Sequence, residues 1–186
     1  MADNNLPKAR HAATAGGLTA AALAAIALAT QGVKPDEGYS ARTYLDVAKI
    51  PTNCYGHVDR SEKVGTYHTP AQCTALLTGD VGKFERIVEK CTPVLGDKVN
   101  QLAAATRLTF NIGPGNYCQS SIARNFNAGN LKAGCNAFLL YSWTTSSRPI
   151  PGALQVRKLP NGRYLNQIRG LLLRRQREMA LCLTGI

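Results

Sequence analysis

The chain has 186 residues, enough for one domain with a hydrophobic core. Hydrophobic residues make up 45% and charged residues 18%, a composition that excludes an intrinsically disordered chain. The net charge of +11 predicts an anionic partner, such as a nucleic acid, an acidic membrane surface or a bacterial wall. Aromatic residues are only 6%, too few for a stacking platform, and no zinc-finger or basic-zipper spacing occurs. We therefore expect no nucleic-acid partner.

The amino-terminal segment contains an uncharged run from Ala12 to Val33, preceded by Lys8 and Arg10. A helix of that length, at ~1.5 Å per residue, would just cross a ~30 Å hydrocarbon core. Alanine, glycine and threonine dominate the run, so its insertion into a bilayer should be marginal. The preceding positive charges predict a cytoplasmic amino terminus and an exported remainder.

This run has four interpretations. The first is a cleaved signal peptide, because Ala27-Leu28-Ala29 resembles a peptidase site. The second is a weak permanent anchor. Alternatively, it enters the membrane and later leaves it intact, or it is an ordinary buried alanine-rich helix. A helix that leaves the membrane would have to bury its leucine face against the rest of the protein.

The first part of the body is predicted to form a small β-rich lobe followed by helices. Pro35 ends the hydrophobic run, and residues 36–68 are short polar and apolar stretches punctuated by glycine and proline. Thr69 followed by Pro70 predicts a helix start, since a capping hydroxyl precedes proline at the first helical position. Apolar residues at helical spacing predict helices over 70–90, 97–112, 120–127, 131–143 and 167–183.

The segment between the last two helices has a different pattern. Thr144 to Pro151 is polar and proline-rich, which predicts a loop. Pro160-Asn161-Gly162 lies between two alternating stretches, and Asn-Gly in that setting predicts a β-hairpin. The fold class expected from these patterns is α+β and mainly α.

The six cysteines are even in number and widely spread, which predicts disulfides in an exported chain. Six cysteines allow 15 connectivities, and the sequence does not select among them. The least entangled pairing joins neighbours along the chain: Cys54–Cys73, Cys91–Cys118 and Cys135–Cys182. A zinc site made by Cys54, His57, His68 and Cys73 is the alternative, but that spacing matches no common structural site, so we expect no metal and no cofactor.

The candidate chemical residues are Glu37, Asp46 and Thr52. Eight residues separate Glu37 from Asp46, and five separate Asp46 from Thr52, just before Cys54-Tyr55-Gly56-His57. Glycosidic bond cleavage requires a proton donor for the leaving oxygen and commonly a second carboxylate that activates water or attacks the sugar. Each residue alone has an ordinary structural interpretation: a surface acid, a turn cap and a strand threonine.

Together, these residues and spacings resemble the catalytic signature of the phage-type lysozymes, glycoside hydrolase family 24. The downstream chain is similar to the family over further motifs, and the resemblance covers about residues 36–184. These motifs are Phe110-Asn111-Ile112-Gly113, Gly115-Asn116-Tyr117, Asn127-Ala128-Gly129, Trp143, and Gly170-Leu171 with Arg174-Arg175-x-x-Glu178 and Cys182. The weak helix directly before Glu37, with Cys54 in the signature, resembles the signal-arrest-release endolysin branch. Residues 144–166 are longer than the corresponding stretch of the family, so the resemblance implies no role for them.

The resemblance implies a two-lobe lysozyme-like fold, with a small β lobe, a larger helical lobe and a sugar cleft between them. Glu37 would be the general acid of a muramidase, Asp46 the carboxylate that positions or activates water, and Thr52 the hydroxyl that helps hold that water. His57 would support the small lobe and bind no metal. Physical chemistry further requires that Glu37 be protonated near neutral pH, hence partly desolvated or beside negative charge.

The resemblance also implies a location and a division of the chain. Residues 1–33 would be a releasable signal-anchor helix, with residues 12–33 transiently in the inner membrane, and residues 34–186 the lysozyme domain. The enzyme would be exported and tethered, then free in the periplasm of an infected Gram-negative host, where it would cut peptidoglycan as a monomer. The arginines at 174, 175 and 177 are expected to form a solvated helix face.

Two other functions remain open at this point. A lytic transglycosylase needs the acid but leaves an anhydro sugar, and the water-handling residues Asp46 and Thr52 argue against it. A cationic membrane-disrupting protein would act through the arginine-rich helix at 167–183. Exchange of Glu37 for glutamine separates this last function from the others, because membrane disruption should survive it.

Overall fold

The computed structural model describes residues 17–186 and shows a mainly helical chain with two small sheets. The helices of this part are α1 (Ala20–Val33), α2 (Pro70–Cys91), α3 (Val99–Ile112), α4 (Pro114–Cys118), α5 (Ser121–Asn127), α6 (Leu131–Asn136) and α7 (Arg169–Leu183). The strands are β1 (Ser40–Leu45), β2 (Pro51–Cys54), β3 (His57–Val58), β4 (Trp143–Ser146), β5 (Gln155–Lys158) and β6 (Tyr164–Gln167). Short 3-10 helices cover Lys34–Asp36, Pro93–Leu95 and Ala137–Ser142. The expected α+β, mainly α class is confirmed.

Helix α2 begins where the sequence predicts. The Thr69 hydroxyl accepts a hydrogen bond from the Gln72 amide, and the Gln72 side chain accepts one from the Thr69 amide. This capping box satisfies two of the amide groups that a helix start leaves unpaired. Pro70, at the first helical position, has no amide hydrogen to satisfy.

Helix α3 is the centre of the core. Residues Gln101 to Thr109 are all buried, and the helix packs against α1, α2 and α7. Because it is enclosed on several sides, it positions the other helices relative to one another.

Helix α1 packs into this core through a face of small residues. Ala22, Ala25, Ile26, Ala29 and Val33 are buried, together with Thr30. The expectation of a buried leucine face is wrong for Leu23, which is 55% exposed, whereas Leu28 is half-buried against the core. Small side chains let the α1 backbone approach α3, which presents three consecutive buried alanines, Ala103 to Ala105. Residues 12–16 of the predicted hydrophobic run lie outside the described part, and no helix in residues 17–186 is long and apolar enough to span a membrane.

The three disulfides join Cys54 to Cys73, Cys91 to Cys118 and Cys135 to Cys182, which confirms the least entangled pairing. Cys54 and Cys73 are therefore not available as thiolate ligands, and the alternative zinc site is wrong. The bridges tie β2 to α2, α2 to α4, and α6 to α7.

The region after α5 differs in part from expectation. The helix predicted over 131–143 stops being α-helical at Asn136 and continues as the 3-10 helix to Ser142. The loop predicted from Thr144 is wrong over its first residues, which form β4 and pair with β6. Trp and Thr favour strands when a pairing partner is present, and here that partner comes from residues 164–167. The hairpin predicted around Asn161-Gly162 is confirmed by β5 and β6.

Candidate active site

Glu37 lies four residues after the end of α1. Its backbone amide donates to the Val33 carbonyl at 3.2 Å across the short 3-10 turn Lys34–Asp36. Three residues later the chain enters β1 at Ser40. The position of Glu37 therefore depends directly on how α1 is docked.

The Glu37 side chain is held by a buried cation. It is 28% exposed, and its Oε1 accepts a hydrogen bond from Arg174 Nη1 at 3.0 Å. The partial burial agrees with the expected desolvation. Its hydrogen-bond partner is not the negative neighbour that was the other possibility but a guanidinium, which fixes the orientation of the carboxyl group.

Asp46 and Thr52 meet at the end of the β1–β2 hairpin. Asp46 Oδ1 accepts hydrogen bonds from the backbone amides of Ala48 at 2.8 Å and Ile50 at 2.9 Å. These bonds close the short loop that reverses the chain between β1 and β2. Thr52 is buried and donates to the Ile50 carbonyl at 3.1 Å. Both side chains are therefore fixed through Ile50. Within residues 17–186 no hydrogen bond joins either of them to Glu37, which lies at the opposite end of β1.

The sequence interpretation missed a cluster of charges behind Glu37. This arginine cluster consists of four arginines from α3 and α7 and three acids: Arg107, Arg174, Arg175, Arg177, Asp36, Glu37 and Glu178. The expected solvated arginine face is wrong for two members, because Arg175 is fully buried and Arg174 is 6% exposed. Their face of α7 packs against α3, which brings them to acids far away in the chain.

The ion pairs of the arginine cluster hold Asp36, the residue directly before Glu37, as well as Glu37 itself. Asp36 Oδ2 lies 3.3 Å from Arg174 Nε and 3.6 Å from Arg107 Nη2, and Asp36 Oδ1 contacts Arg177. Deeper inside, Arg175 Nη2 lies 3.0 Å from Glu178 Oε1. Burial raises the pKa of Glu178 and lowers that of Arg175, whereas their mutual attraction acts in the opposite sense on each.

His57 ties the small lobe to α2. Its Nδ1 lies 2.6 Å from Asp80 Oδ2, and Asp80 Oδ1 also accepts from Lys83. This contact matches the supporting role expected for His57.

A second polar centre organises the small lobe around Glu62. It accepts hydrogen bonds from Thr43 on β1 and Asn53 on β2, and it lies 2.9 Å from His68 Nε2. Burial alone would raise the pKa of Glu62, but the three donors together lower it. The Glu62 carboxylate thus joins both strands of the β1–β2 hairpin to the loop that precedes α2.

This geometry defines a lysozyme-like glycoside hydrolase: a helical lobe, a small three-stranded lobe, and a partly exposed glutamate between them. The structure resembles the crystal structure of a P22 lysozyme mutant, with a TM-score of 0.63 and 29% identity, covering 84% of this chain and 95% of that one. The Phage lysozyme family model matches residues 34–178, and the chain belongs to that family. It is an endolysin-type muramidase.

Two curated relatives are phage endolysins. The SAR-endolysin of Pseudomonas phage phiKMV is 34% identical over 161 residues, which cover 86% of this chain and 89% of the relative. The SAR-endolysin of Enterobacteria phage P21 is 30% identical over 181 residues, 97% of both chains. The similarity to the P21 protein extends well upstream of the part matched by the family model.

Proposed function

We propose that Glu37 is the general acid that protonates the leaving oxygen of the glycosidic bond between N-acetylmuramic acid and N-acetylglucosamine. The supporting observation is the contact between the partly exposed Glu37 carboxyl and the buried guanidinium of Arg174. One face of the carboxyl remains open to substrate, while Arg174 fixes its orientation. A positioned acid of this kind contributes roughly 10²–10⁴ to the rate.

Asp46 and Thr52 are proposed to handle the attacking water. Their common attachment to Ile50 fixes a carboxylate and a hydroxyl at one end of the hairpin. A carboxylate accepts the proton that water loses. The Thr52 hydroxyl donates its hydrogen to Ile50, and its oxygen can still accept a hydrogen bond from that water, so the pair suits water activation. This favours hydrolysis over the transglycosylase alternative, which needs no water.

The arginine-rich helix does not suit the membrane-disrupting alternative. Two of its arginines, Arg174 and Arg175, are committed to buried ion pairs with acids of the same chain. If these arginines bound lipid instead, the acids would be left buried and unpaired, which costs several kcal/mol of folding free energy for each acid.

We further propose that residues 1–33 are a releasable signal-anchor and residues 34–186 the enzyme. The names of the phiKMV and P21 relatives support this division. While residues 12–33 lie in the inner membrane, α1 is absent from the core and Glu37, four residues after Val33, is held at the bilayer. Release lets α1 dock as in this structure, and the enzyme then cuts peptidoglycan in the periplasm as a monomer.

The experiment is mass spectrometry of products released from purified peptidoglycan by the wild type, Glu37→Gln and a matched acid-to-amide control, Glu89→Gln. We expect products with reducing N-acetylmuramic acid ends from the wild type and the control. The amount of product released by Glu37→Gln should be lower by orders of magnitude. Anhydro ends would establish the transglycosylase instead. A folded Glu37→Gln protein with most of its activity would refute the assignment of the acid.

A further inference from the structure

Helices α1 and α2 run antiparallel, and two contacts fix their alignment. A Cβ at Gly82 of α2 would lie 3.5 Å from Cδ1 of Ile26 on α1. Lys34, directly after α1, donates a hydrogen bond from Nζ to Thr74 Oγ1 at 2.9 Å. The same number of residues separates these two contacts on each helix. Each step along α1 is therefore matched by one step back along α2.

This alignment places Glu85 under the first turn of α1. Glu85 lies three residues after Gly82 and so on the same face of α2. The facing part of α1 begins at Ala22, which is 1% exposed. One turn further along α2, Glu89 lines the same cavity as Thr19, the residue that caps the start of α1, as the alignment requires. The docked helix α1 therefore covers Glu85.

The Glu85 carboxyl is buried at this contact without a partner. The residue is fully buried, and within residues 17–186 neither of its oxygens has a hydrogen-bond partner. A packed interior strongly disfavours an ionised carboxylate that has no donor or cation beside it, and disfavours the neutral acid much less. Burial accordingly raises the pKa of Glu85 from its ordinary 4.5 to about 7.

The described elements that pack against α2 bring Glu85 no cation. Helix α1 and the 3-10 helix Pro93–Leu95 contain no charged residue. The one charged residue of α3 is Arg107, which lies against the last turn of α1, at the end away from Glu85. The one titratable group of α4 is the phenol of Tyr117, which is hydrogen-bonded to the Thr92 hydroxyl at 2.9 Å.

The charges of α2 itself and of the loop before α3 do not neutralise Glu85 either. Arg86 is exposed and lowers the pKa of Glu85, but the half-buried Glu89 raises it more. Asp97 and Lys98 line the cavity beside Glu89 and pair with each other at 3.0 Å. Whether Glu85 is ionised therefore depends chiefly on whether α1 covers it.

We propose that docking of α1 onto α2 takes up one proton at the Glu85 carboxyl, so that mildly acid conditions favour the docked form of the released protein. This rests on the proposed function, in which α1 leaves the membrane intact and then enters the core. While α1 is in the bilayer, Glu85 is uncovered and ionised in contact with water. On docking it takes a proton from the solvent, and it returns that proton when α1 leaves.

This change of charge fits a surface that must exist both with and without α1. Leu77, Val81 and Val88 are buried on the same face of α2 as Glu85. Without α1 that face would be an exposed apolar patch, which promotes association between chains. An ionised Glu85 keeps the uncovered face hydrated, and the neutral acid can then be buried under the alanines of α1.

The direction of the pH dependence follows from the two protonation states. Between pH 4.5 and about 7 the docked form holds a proton that the undocked form has lost. Docking is therefore most favourable below pH 4.5 and weakens as pH rises through 7. From pH 5.5 to pH 7.5 the equilibrium constant for docking should fall about twentyfold.

The test measures how often α1 opens in the purified full-length chain. Hydrogen–deuterium exchange, read by mass spectrometry between pH 5.5 and pH 7.5, gives the protection of α1 amides after correction for the intrinsic exchange rate. Amides of α3 report opening of the whole core in the same samples. The proteins are the wild type, Glu85→Gln, Glu85→Met and a matched acid-to-amide control on the same helix, Glu89→Gln.

We expect the protection of α1 to fall about twentyfold over this range in the wild type, nearly as much in Glu89→Gln, and less for α3 in both. In Glu85→Gln the protection of α1 should not depend on pH. Glu85→Met, a second neutral side chain of similar length, should behave in the same way and stands in for Glu85→Gln if that variant does not fold.

Two results would overturn the proposal. One is an equal pH dependence of α1 protection in the wild type and in the neutral variants. The other is a parallel change in α1 and α3, because Glu85 would then act on unfolding of the whole protein and not on docking of α1. Failure of the proposed function is separate, since it would show as absence of peptidoglycan cleavage or of release in cell fractionation, and neither enters the exchange measurement.

Discussion

The guanidinium of Arg107, on α3, lies directly against Gly32, in the last turn of α1. A Cβ at residue 32 would come within 2.3–2.6 Å of three guanidinium atoms. Arg107 Nη2 donates to the Gly32 carbonyl at 3.3 Å and lies 3.6 Å from Asp36 Oδ2. The glycine therefore allows a buried cation to reach the end of α1, five residues before the proposed acid.

From this contact we predict that Gly32→Ala loosens the docking of α1. Arg107 would have to swing away, which breaks its contacts with Gly32 and Asp36, and the free energy of unfolding should fall by roughly 1–3 kcal/mol. Gly79→Ala is the matched control, because its Cβ meets no atom within 4 Å and alanine favours a helix. In an Arg107→Ala background the Gly32→Ala penalty should largely disappear. Urea denaturation of the four combinations checks this, and additive effects would contradict a direct clash.

The arginine cluster shows why only part of the site could be predicted from sequence. Thr69 and Gln72 are three residues apart, so the capping box and the start of α2 follow from local spacing. The contact between Arg174 and Glu37 joins residues 137 apart and requires α3 to bring α1 and α7 together. Without that packing, three arginines in one helix indicate only a solvated face. Strand β4 was missed for the same reason, since its partner β6 lies about twenty residues downstream.

The second prediction separates Arg174 from Arg177, two arginines that both contact Asp36. Arg174 is buried and also holds Glu37, whereas Arg177 is 51% exposed. We expect Arg174→Gln to reduce kcat at least tenfold with KM nearly unchanged, and to cost roughly 1.5–3 kcal/mol of stability. Arg177→Gln should cost about 1 kcal/mol or less. Steady-state kinetics on sacculi, measured below the melting temperature of both variants, provide the comparison. A wild-type kcat for Arg174→Gln would show that the contact between Arg174 and Glu37 does not orient the acid.

The third prediction concerns Glu85, which is fully buried on α2 with both oxygens unpartnered by side chain or backbone. Burial raises the pKa of Glu85 from its ordinary 4.5 to about 7, and the nearby Glu89 adds to the rise. A native pKa above the unfolded one means that the native state binds more protons between these values. The contribution of Glu85 to stability is therefore present below about pH 4.5 and is lost as pH rises through 7.

Glu85→Gln should remove the loss of stability that ionisation of Glu85 causes as pH rises. Relative to the wild type, the variant should gain up to about 3 kcal/mol in free energy of unfolding between pH 5 and pH 8. Chemical denaturation at several pH values measures the difference. Parallel profiles for the two proteins would mean that Glu85 is ionised in the native state throughout.

The fourth prediction ranks two disulfides by the length of chain they close. Cys135–Cys182 spans 47 residues and Cys54–Cys73 spans 19. Restriction of the unfolded chain predicts a loss of roughly 4 kcal/mol for Cys135→Ala/Cys182→Ala and roughly 3 for Cys54→Ala/Cys73→Ala. The second pair holds β2 to α2, so its loss should also raise KM. Thermal unfolding of the two double variants shows which one loses more stability. A larger loss for Cys54→Ala/Cys73→Ala would show that native-state packing outweighs the entropy of the unfolded chain.

The last prediction uses the two faces of α1 to separate membrane retention from folding. Ala24 and Ala27 are exposed in the docked helix, whereas Ala25 and Ala29 are buried against the core. Each leucine placed in a membrane segment favours insertion by about 0.3–0.6 kcal/mol, whichever face it occupies. Ala24→Leu/Ala27→Leu should therefore delay release and host lysis while the purified enzyme keeps its activity and stability. Ala25→Leu/Ala29→Leu should be retained equally well, but its purified form should be unstable because the alanine face no longer fits α3. Cell fractionation, lysis timing and denaturation of both proteins measure these effects. If Ala24→Leu/Ala27→Leu were released and caused lysis on the wild-type schedule, the hypothesis that a weakly hydrophobic helix leaves the membrane intact would be wrong. Cleavage after Ala29 would then be the better explanation.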